Sequence, residues 1–138
     1  MSAAILVLVA LAAFLAGYFF YGGIVARRFG LDPERPTPAH TLRDGVDYVP
    51  ARPQILLGHH FSSIAGAAPI IGPIIAAVFG WVPVFLWILL GGIFMGAVHD
   101  FSALVASVRH EGRSIGEVID RRLGWGAKIL FLVFAWSA

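Results

Sequence analysis

His99 and Asp100 put an imidazole beside a carboxylate inside a long apolar run. An imidazole exchanges protons near neutral pH. An ionisable group inside a membrane-spanning segment costs about 2.5–3.5 kcal/mol at the centre, so it is usually kept for a reason. Three roles fit the pair: bonding to neighbouring helices, transport or proton coupling, and metal binding. A second polar cluster is Gly58-His59-His60. Adjacent histidines on a helix point about 100° apart and converge poorly on one ion. No His-Glu-x-x-His, cysteine ligand or carboxylate three or four residues on completes a zinc set. A polar cap on a span, or a part in substrate or proton handling, suits His59 and His60 better. The third element is backbone: Gly66-Ala67-Ala68-Pro69-Ile70-Ile71-Gly72-Pro73. Broken helices of this kind expose half-helix ends and unwound carbonyls to substrates and ions in secondary transporters. A proline kink that only shapes packing is the alternative. The candidate substrate- or ion-binding residues are therefore Gly66, Pro69, Gly72, Pro73, His99, Asp100, His59 and His60. No metal site, cofactor or catalytic residue is expected. The chain has no phosphate-cradling GxxxxGK[ST], no GxGxxG after a strand and no GxSxG.

The elements that must position these groups are dictated by composition. The chain has 138 residues, 59% of them apolar or aromatic, with 16 glycines and no cysteine. Setting aside tyrosine and adding glycine brings the apolar share to about two-thirds, against about 45–50% in soluble proteins. Charged residues are 13% and mean hydropathy is +0.83. These values exclude a disordered chain, a collagen-like repeat and a disulfide scaffold. Ten basic against eight acidic residues leave no nucleic-acid footprint, so no nucleic-acid partner is expected. The composition is that of a polytopic, all-α membrane protein whose surroundings are the lipid bilayer.

Residues 3–25 carry no charge and are long enough to span about 30 Å of hydrocarbon. No basic residue precedes the run, and it exceeds the length of a signal-peptide core, so a retained helix is expected. Tyr18-Phe19-Phe20-Tyr21 followed by Arg27-Arg28 suits an interfacial belt. Residues 26–57 hold five Arg, four acids and five Pro, the pattern of an irregular loop with a turn at Asp44-Gly45. A second span is expected at 61–80, broken at Pro69 and Pro73, because two prolines in hydrocarbon forfeit backbone bonds that no water replaces. A third runs from Pro83 to Val108, with Gly92, Gly96, His99, Ala103 and Ala106 on one face and Asp100 and Ser107 at its border. Bulky Leu90, Phe94, Phe101 and Val105 lie opposite, so the small and polar stripe is expected to face protein. Residues 109–125 should form a loop containing a short amphipathic surface helix, opened by the Ser114–Glu117 capping box and stopped at Gly124. A fourth apolar run, 126–138, is shorter than a crossing and reads as a helix cut midway. All ten basic residues fall in the segments after the first and third spans or just beyond, which places 26–57 and 109–125 in the cytoplasm and the N-terminus outside.

Several blocks of this sequence resemble the carbon starvation protein A family. They are Asp44-Gly45-Val46-Asp47-Tyr48-Val49-Pro50, Leu57-Gly58-His59-His60-Phe61 and Ile64-Ala65-Gly66 through Pro73. Gly96-Ala97-Val98-His99-Asp100-Phe101, Ser107-Val108-Arg109 and Gly112-Arg113-Ser114-Ile115-Gly116-Glu117 continue the series. They cover roughly residues 20–120 in the family's order, with Ala68 standing where the family's Gly-Ala-Gly-Pro form has glycine. The resemblance implies the N-terminal part of a large multi-pass protein of the bacterial or archaeal plasma membrane. It further implies a non-enzymatic secondary transporter that takes up peptides or pyruvate-like small carboxylates during nutrient limitation. Its partners would be that small-molecule substrate, a coupling ion (proton or sodium) and the remainder of the transporter chain. Two other classes compete: an intramembrane metal-dependent hydrolase using His59, His60, His99 and Asp100, and a small non-transporting membrane subunit.

Overall fold

The computed structural model describes residues 2–137, and at residues 67 and 68 the backbone alone. Among the described residues the regular structure is entirely helical. A long helix α1 (Ala3–Arg28) is followed by a single turn α2 (Pro38–Thr41), then α3 (Pro53–Ile64) and α4 (Ala67–Ala76). A second long helix, α5 (Trp81–Arg109), leads to α6 (Ile115–Leu123) and α7 (Trp125–Ser137). Among the described residues, α1 and α5 alone are by themselves long and apolar enough to cross a membrane; α3 and α4 pass that test only as a pair. The helices fall into two compact units, one built from residues up to Leu31 with Pro50–Val98, the other from Asp32–Val49 with the residues from His99 on.

In the first unit, α1 and the first part of α5 touch through reciprocal small-for-large contacts. A Cβ added at Gly17 would lie 3.1–3.3 Å from three Ile93 side-chain atoms, and one at Gly92 would lie 3.3 Å from the Phe14 ring. Tyr21 and Phe94 extend the seam edge to face, with ring centroids 4.9 Å apart. Absent side chains let apolar helices approach closely where no hydrophobic force separates helix from lipid. Both helices widen here into i→i+5 turns, at Gly17–Gly22 and Trp87–Gly96. Such turns are rare and tend to mark functional positions. The expected spans did not include them, although the glycines at Gly17, Gly22, Gly91, Gly92 and Gly96 coincide with both.

The second expected span is corrected in two respects. Its helix begins at Pro53, not near residue 61, because Pro53 supplies the fixed φ and missing N–H suited to a helix start. His59 and His60 therefore lie within α3 and not ahead of the span. The interruption falls at Ala65-Gly66, not at the prolines: Ala65 (ψ 49°) leaves the helix, Gly66 (ψ −169°) is extended, and α3 and the Pro69–Phe79 segment are bent by 41°. Pro69 sits in the first turn of α4, where an N–H would lack a helical partner in any case. Pro73 lies inside α4 and cannot donate to the carbonyl four residues back. At Gly80, φ is 103°, a conformation that favours glycine, and α5 starts at Trp81, two residues before the expected Pro83.

In the second unit, the Asp44 carboxylate accepts the N–H groups of Val46, Asp47 and Tyr48, each at 2.9 Å. These bonds, that from Tyr48 first, hold its pKa below the ordinary value. Tyr48 Oη then donates to the Glu111 carbonyl at 2.8 Å, tying this loop to the turn after α5. Glu111 has φ 62°, uncommon outside glycine. Ser114 caps α6 as expected, its Oγ accepting the Glu117 N–H at 3.3 Å, while the Glu117 carboxylate pairs with Arg113; Gly124 (φ 90°) ends the helix. α6 and α7 form a hairpin in which buried Gly116 lies against Phe131 and Leu132, closed by a Lys128–Asp120 ion pair at 3.0 Å.

The seam between α1 and α5 yields a direct test. Gly17→Val should lower the stability of the detergent-solubilised protein by about 1–3 kcal/mol through overpacking. Adding Ile93→Ala should restore part of the loss, and Gly23→Val, with open space around it, should be near neutral. Thermal or denaturant unfolding reads all three; absence of rescue by Ile93→Ala would mean that Gly17 and Ile93 do not form the seam.

Candidate functional site

The eight candidate residues lie on two pieces of structure. His59, His60, Gly66, Pro69, Gly72 and Pro73 belong to the first unit, along α3, the break and α4. His99 and Asp100 belong to the second, on α5.

Around the break, the chain leaves α3 with Ala65 N–H donating to the Phe61 carbonyl and Gly66 N–H to the Ile64 carbonyl, both at 2.8 Å. The hydroxyls of Ser62 and Ser63 both donate to the His59 carbonyl, at 3.0 and 2.9 Å. Both thus turn back into α3 instead of capping its end. α4 opens on Gly66 with no side-chain cap. The first turn of any helix carries N–H groups without helical acceptors, and these favour an anion such as a carboxylate. The last turn of α3 presents the opposite polarity, with carbonyls suited to a cation. A break in mid-span therefore offers both signs of partial charge without a charged side chain. Gly66 and Gly72 have nothing within 4 Å of an added Cβ, so a ligand could approach the backbone there. His59 and His60 are exposed on α3, at adjacent positions.

On α5, His99 Nδ1 lies 3.1 Å from Asp100 Oδ1. A neutral ring can hold this contact only by donating Nδ1–H, which leaves the lone pair on Nε2 to accept a further proton; a doubly protonated ring makes it an ion pair. The His99 side chain is 81% exposed and Asp100 is 37% exposed. The pair is thus open within this chain. Ser102 Oγ donates to the His99 carbonyl at 2.8 Å. The expected small-residue face is only partly realised as a packing surface: Gly92 is filled by Phe14 of α1, not by the broken pair, while Gly96 meets nothing but the Gly91 carbonyl of its own helix.

Among the described residues no three His, Asp or Glu side chains are grouped to hold a metal ion. An open apolar groove of about 590 Å³ runs along the first part of α5 past Trp87, Leu90, Gly91 and Phe94, and none of the eight candidates lines it. What sequence reasoning missed in this region is the fold of the loops. Asp44-Gly45 is legible as a turn, but nothing local announces that Tyr48 reaches Glu111, 63 residues away.

The chain matches the family model described as Carbon starvation protein CstA over residues 2–138. It is 50% identical to the "Peptide transporter CstA" of Campylobacter jejuni over 89% of its own length and 18% of that protein's. To the protein of the same name in Escherichia coli K12 it is 45% identical, over 87% of this chain and 17% of that one. To the "Pyruvate/proton symporter BtsT" of the same organism it is 43% identical, over 89% of this chain and 17% of the relative. The chain therefore spans about a sixth of the length of these relatives. No solved structure matches it. With a family match running through every candidate residue, the chain belongs to the carbon starvation protein CstA family.

Proposed function

We propose that this chain forms the N-terminal part of a secondary transporter that takes up peptides or small carboxylates such as pyruvate when nutrients are scarce, driven by a proton or sodium gradient. The observation that carries the reading is the 43–50% identity to named peptide and pyruvate transporters over nearly the whole chain. The break at Ala65-Gly66 supplies the binding element. The uncapped start of α4 suits the carboxylate shared by a peptide C-terminus and pyruvate, and carbonyls at the end of α3 suit a cation. His99 and Asp100 handle the coupling proton, an assignment supported by the name of the proton symporter among the relatives and by the open imidazole on α5. His59 and His60 flank the substrate path from the α3 side.

In the membrane, α1, the α3–α4 pair and α5 form three crossings, and α7 begins a fourth. The N-terminus lies outside, with the segments between α1 and α3 and between α5 and α7 in the cytoplasm of a bacterium or archaeon. The support is the basic-residue asymmetry: all ten Lys and Arg lie at the ends of α1 and α5, in these segments or, for Lys128, in the first turn of α7. A cysteine replacing Arg43 should react with an impermeant reagent from the cytoplasmic face alone; labelling from the outer face would invert the topology.

The role of Asp100 separates from a structural one by comparing yield with rate. In the complete transporter, Asp100→Asn should abolish uptake while expression and membrane insertion stay normal, because the amide keeps the shape but cannot carry a proton. Normal uptake at normal yield would remove Asp100 from the coupling path, and a reduced yield with a normal rate per folded molecule would make it structural.

A further inference from the structure

His110 lies outside the eight candidate residues, in the turn after α5, and its two ring nitrogens have different partners. Nδ1 is 2.7 Å from the Ala106 carbonyl oxygen, and Nε2 is 3.2 Å from Arg122 Nε on α6. A carbonyl can only accept and a guanidinium N–H can only donate. The two contacts together therefore fix one protonation state: the proton on Nδ1 and the lone pair on Nε2. A second proton, on Nε2, would point an N–H at a donor and set imidazolium against guanidinium.

The charged groups around the ring sharpen this. Glu111 Oε2 pairs with Arg113 at 3.3 Å and Arg121 at 3.5 Å, and Glu117 Oε2 with Arg113 at 3.7 Å. Asp120 pairs with Lys128. The carboxylates of the turn and of α6 are thus engaged with other cations, and the charged side chain that meets His110 from α6 is Arg122. Arg122 can only donate to Nε2, so adding a proton there and keeping the α6 contact are in competition. Besides those ion pairs, neutral bonds hold the turn: Ser107 Oγ to the Arg113 carbonyl at 2.7 Å, Gly112 N–H to the Ser107 carbonyl at 2.8 Å and Tyr48 Oη to the Glu111 carbonyl.

We infer that His110 and Arg122 form a proton-released latch between the end of α5 and α6, closed while His110 is neutral and opened when it takes up a proton. The closed contact requires the lone pair on Nε2, so it is present while that nitrogen is unprotonated and lost when it takes up a proton. Opening frees α6 from this link while Ser107, Gly112 and Tyr48 keep the turn itself in place. The latch is independent of the substrate site and stands whether or not Asp100 carries the coupling proton.

The test uses the intact protein in lipid nanodiscs. Hydrogen exchange over Ile115–Leu123, corrected for intrinsic exchange rates, should show protection several-fold lower at about pH 5.5 than at about pH 8, the range in which imidazoles titrate. His110→Gln keeps a donor and an acceptor without titrating and should flatten that dependence. Arg122→Gln should give low protection at both pH values. Nitrogen-15 spectra of histidine-labelled protein at the higher pH should place the His110 proton on Nδ1. A flat wild-type profile, an unchanged profile in His110→Gln, or the opposite tautomer would each overturn the latch.

Discussion

A backbone surrounded by hydrocarbon must satisfy its own hydrogen bonds, and the rest of this structure depends on that constraint. Each unpaired N–H or C=O in lipid costs several kcal/mol, so apolar segments fold as helices before any side chain expresses a preference. α1 and α5, at 26 and 29 residues, meet the requirement alone. The α3–α4 pair does not, since its helical bonding stops at Ala65-Gly66. A break of this kind is tolerable only where protein or water covers it. The place where the chain departs from the rule is therefore the place to seek a ligand.

The same constraint explains why glycine is prominent. Without a hydrophobic force between helices in lipid, contact depends on close fit and on small residues. Gly17 receives Ile93 and Gly92 receives Phe14, so two helices with few polar groups acquire a defined seam. Outside the apolar helices the logic reverses. The loop from Asp32 to Val49 and the turn after α5 are organised by directed polar bonds: Asp44 gathers three N–H groups, Tyr48 reaches Glu111, and His110 meets Arg122.

Much of this is legible in the residues. The uncharged run from Ala3, the helix cap at Ser114 and the stop at Gly124 are local signals read by short-range rules, and the structure carries all three. The break is legible as an event but not as a position. Prolines advertise interruption, yet Pro69 is accommodated in a first turn, and the extended residue is Gly66, whose neighbours look unremarkable in sequence. The helix start at Pro53 is hidden for a related reason, because a proline suits either a loop or the first turn of a helix. His110 carries no local signal, because its meaning lies in an arginine twelve residues on, a relation that only the fold creates. The wide turns at Gly17–Gly22 and Trp87–Gly96 have no residue signature beyond their glycines.

We propose that the break at Ala65-Gly66 is covered by water and ligand, not by lipid. The chain has no native cysteine, and Gly66 has a negative φ and open space around it, so Gly66→Cys should be accepted without strain. In the complete transporter reconstituted in liposomes, that cysteine should react with a small water-soluble thiol reagent as readily as one in an exposed loop, and transported peptide or pyruvate should slow the reaction. A cysteine at Val7, exposed on the uniformly apolar first part of α1, should be inert. If the Gly66 cysteine is as unreactive as the one at Val7, the break faces lipid or sealed protein, and the reading of it as a substrate site is wrong.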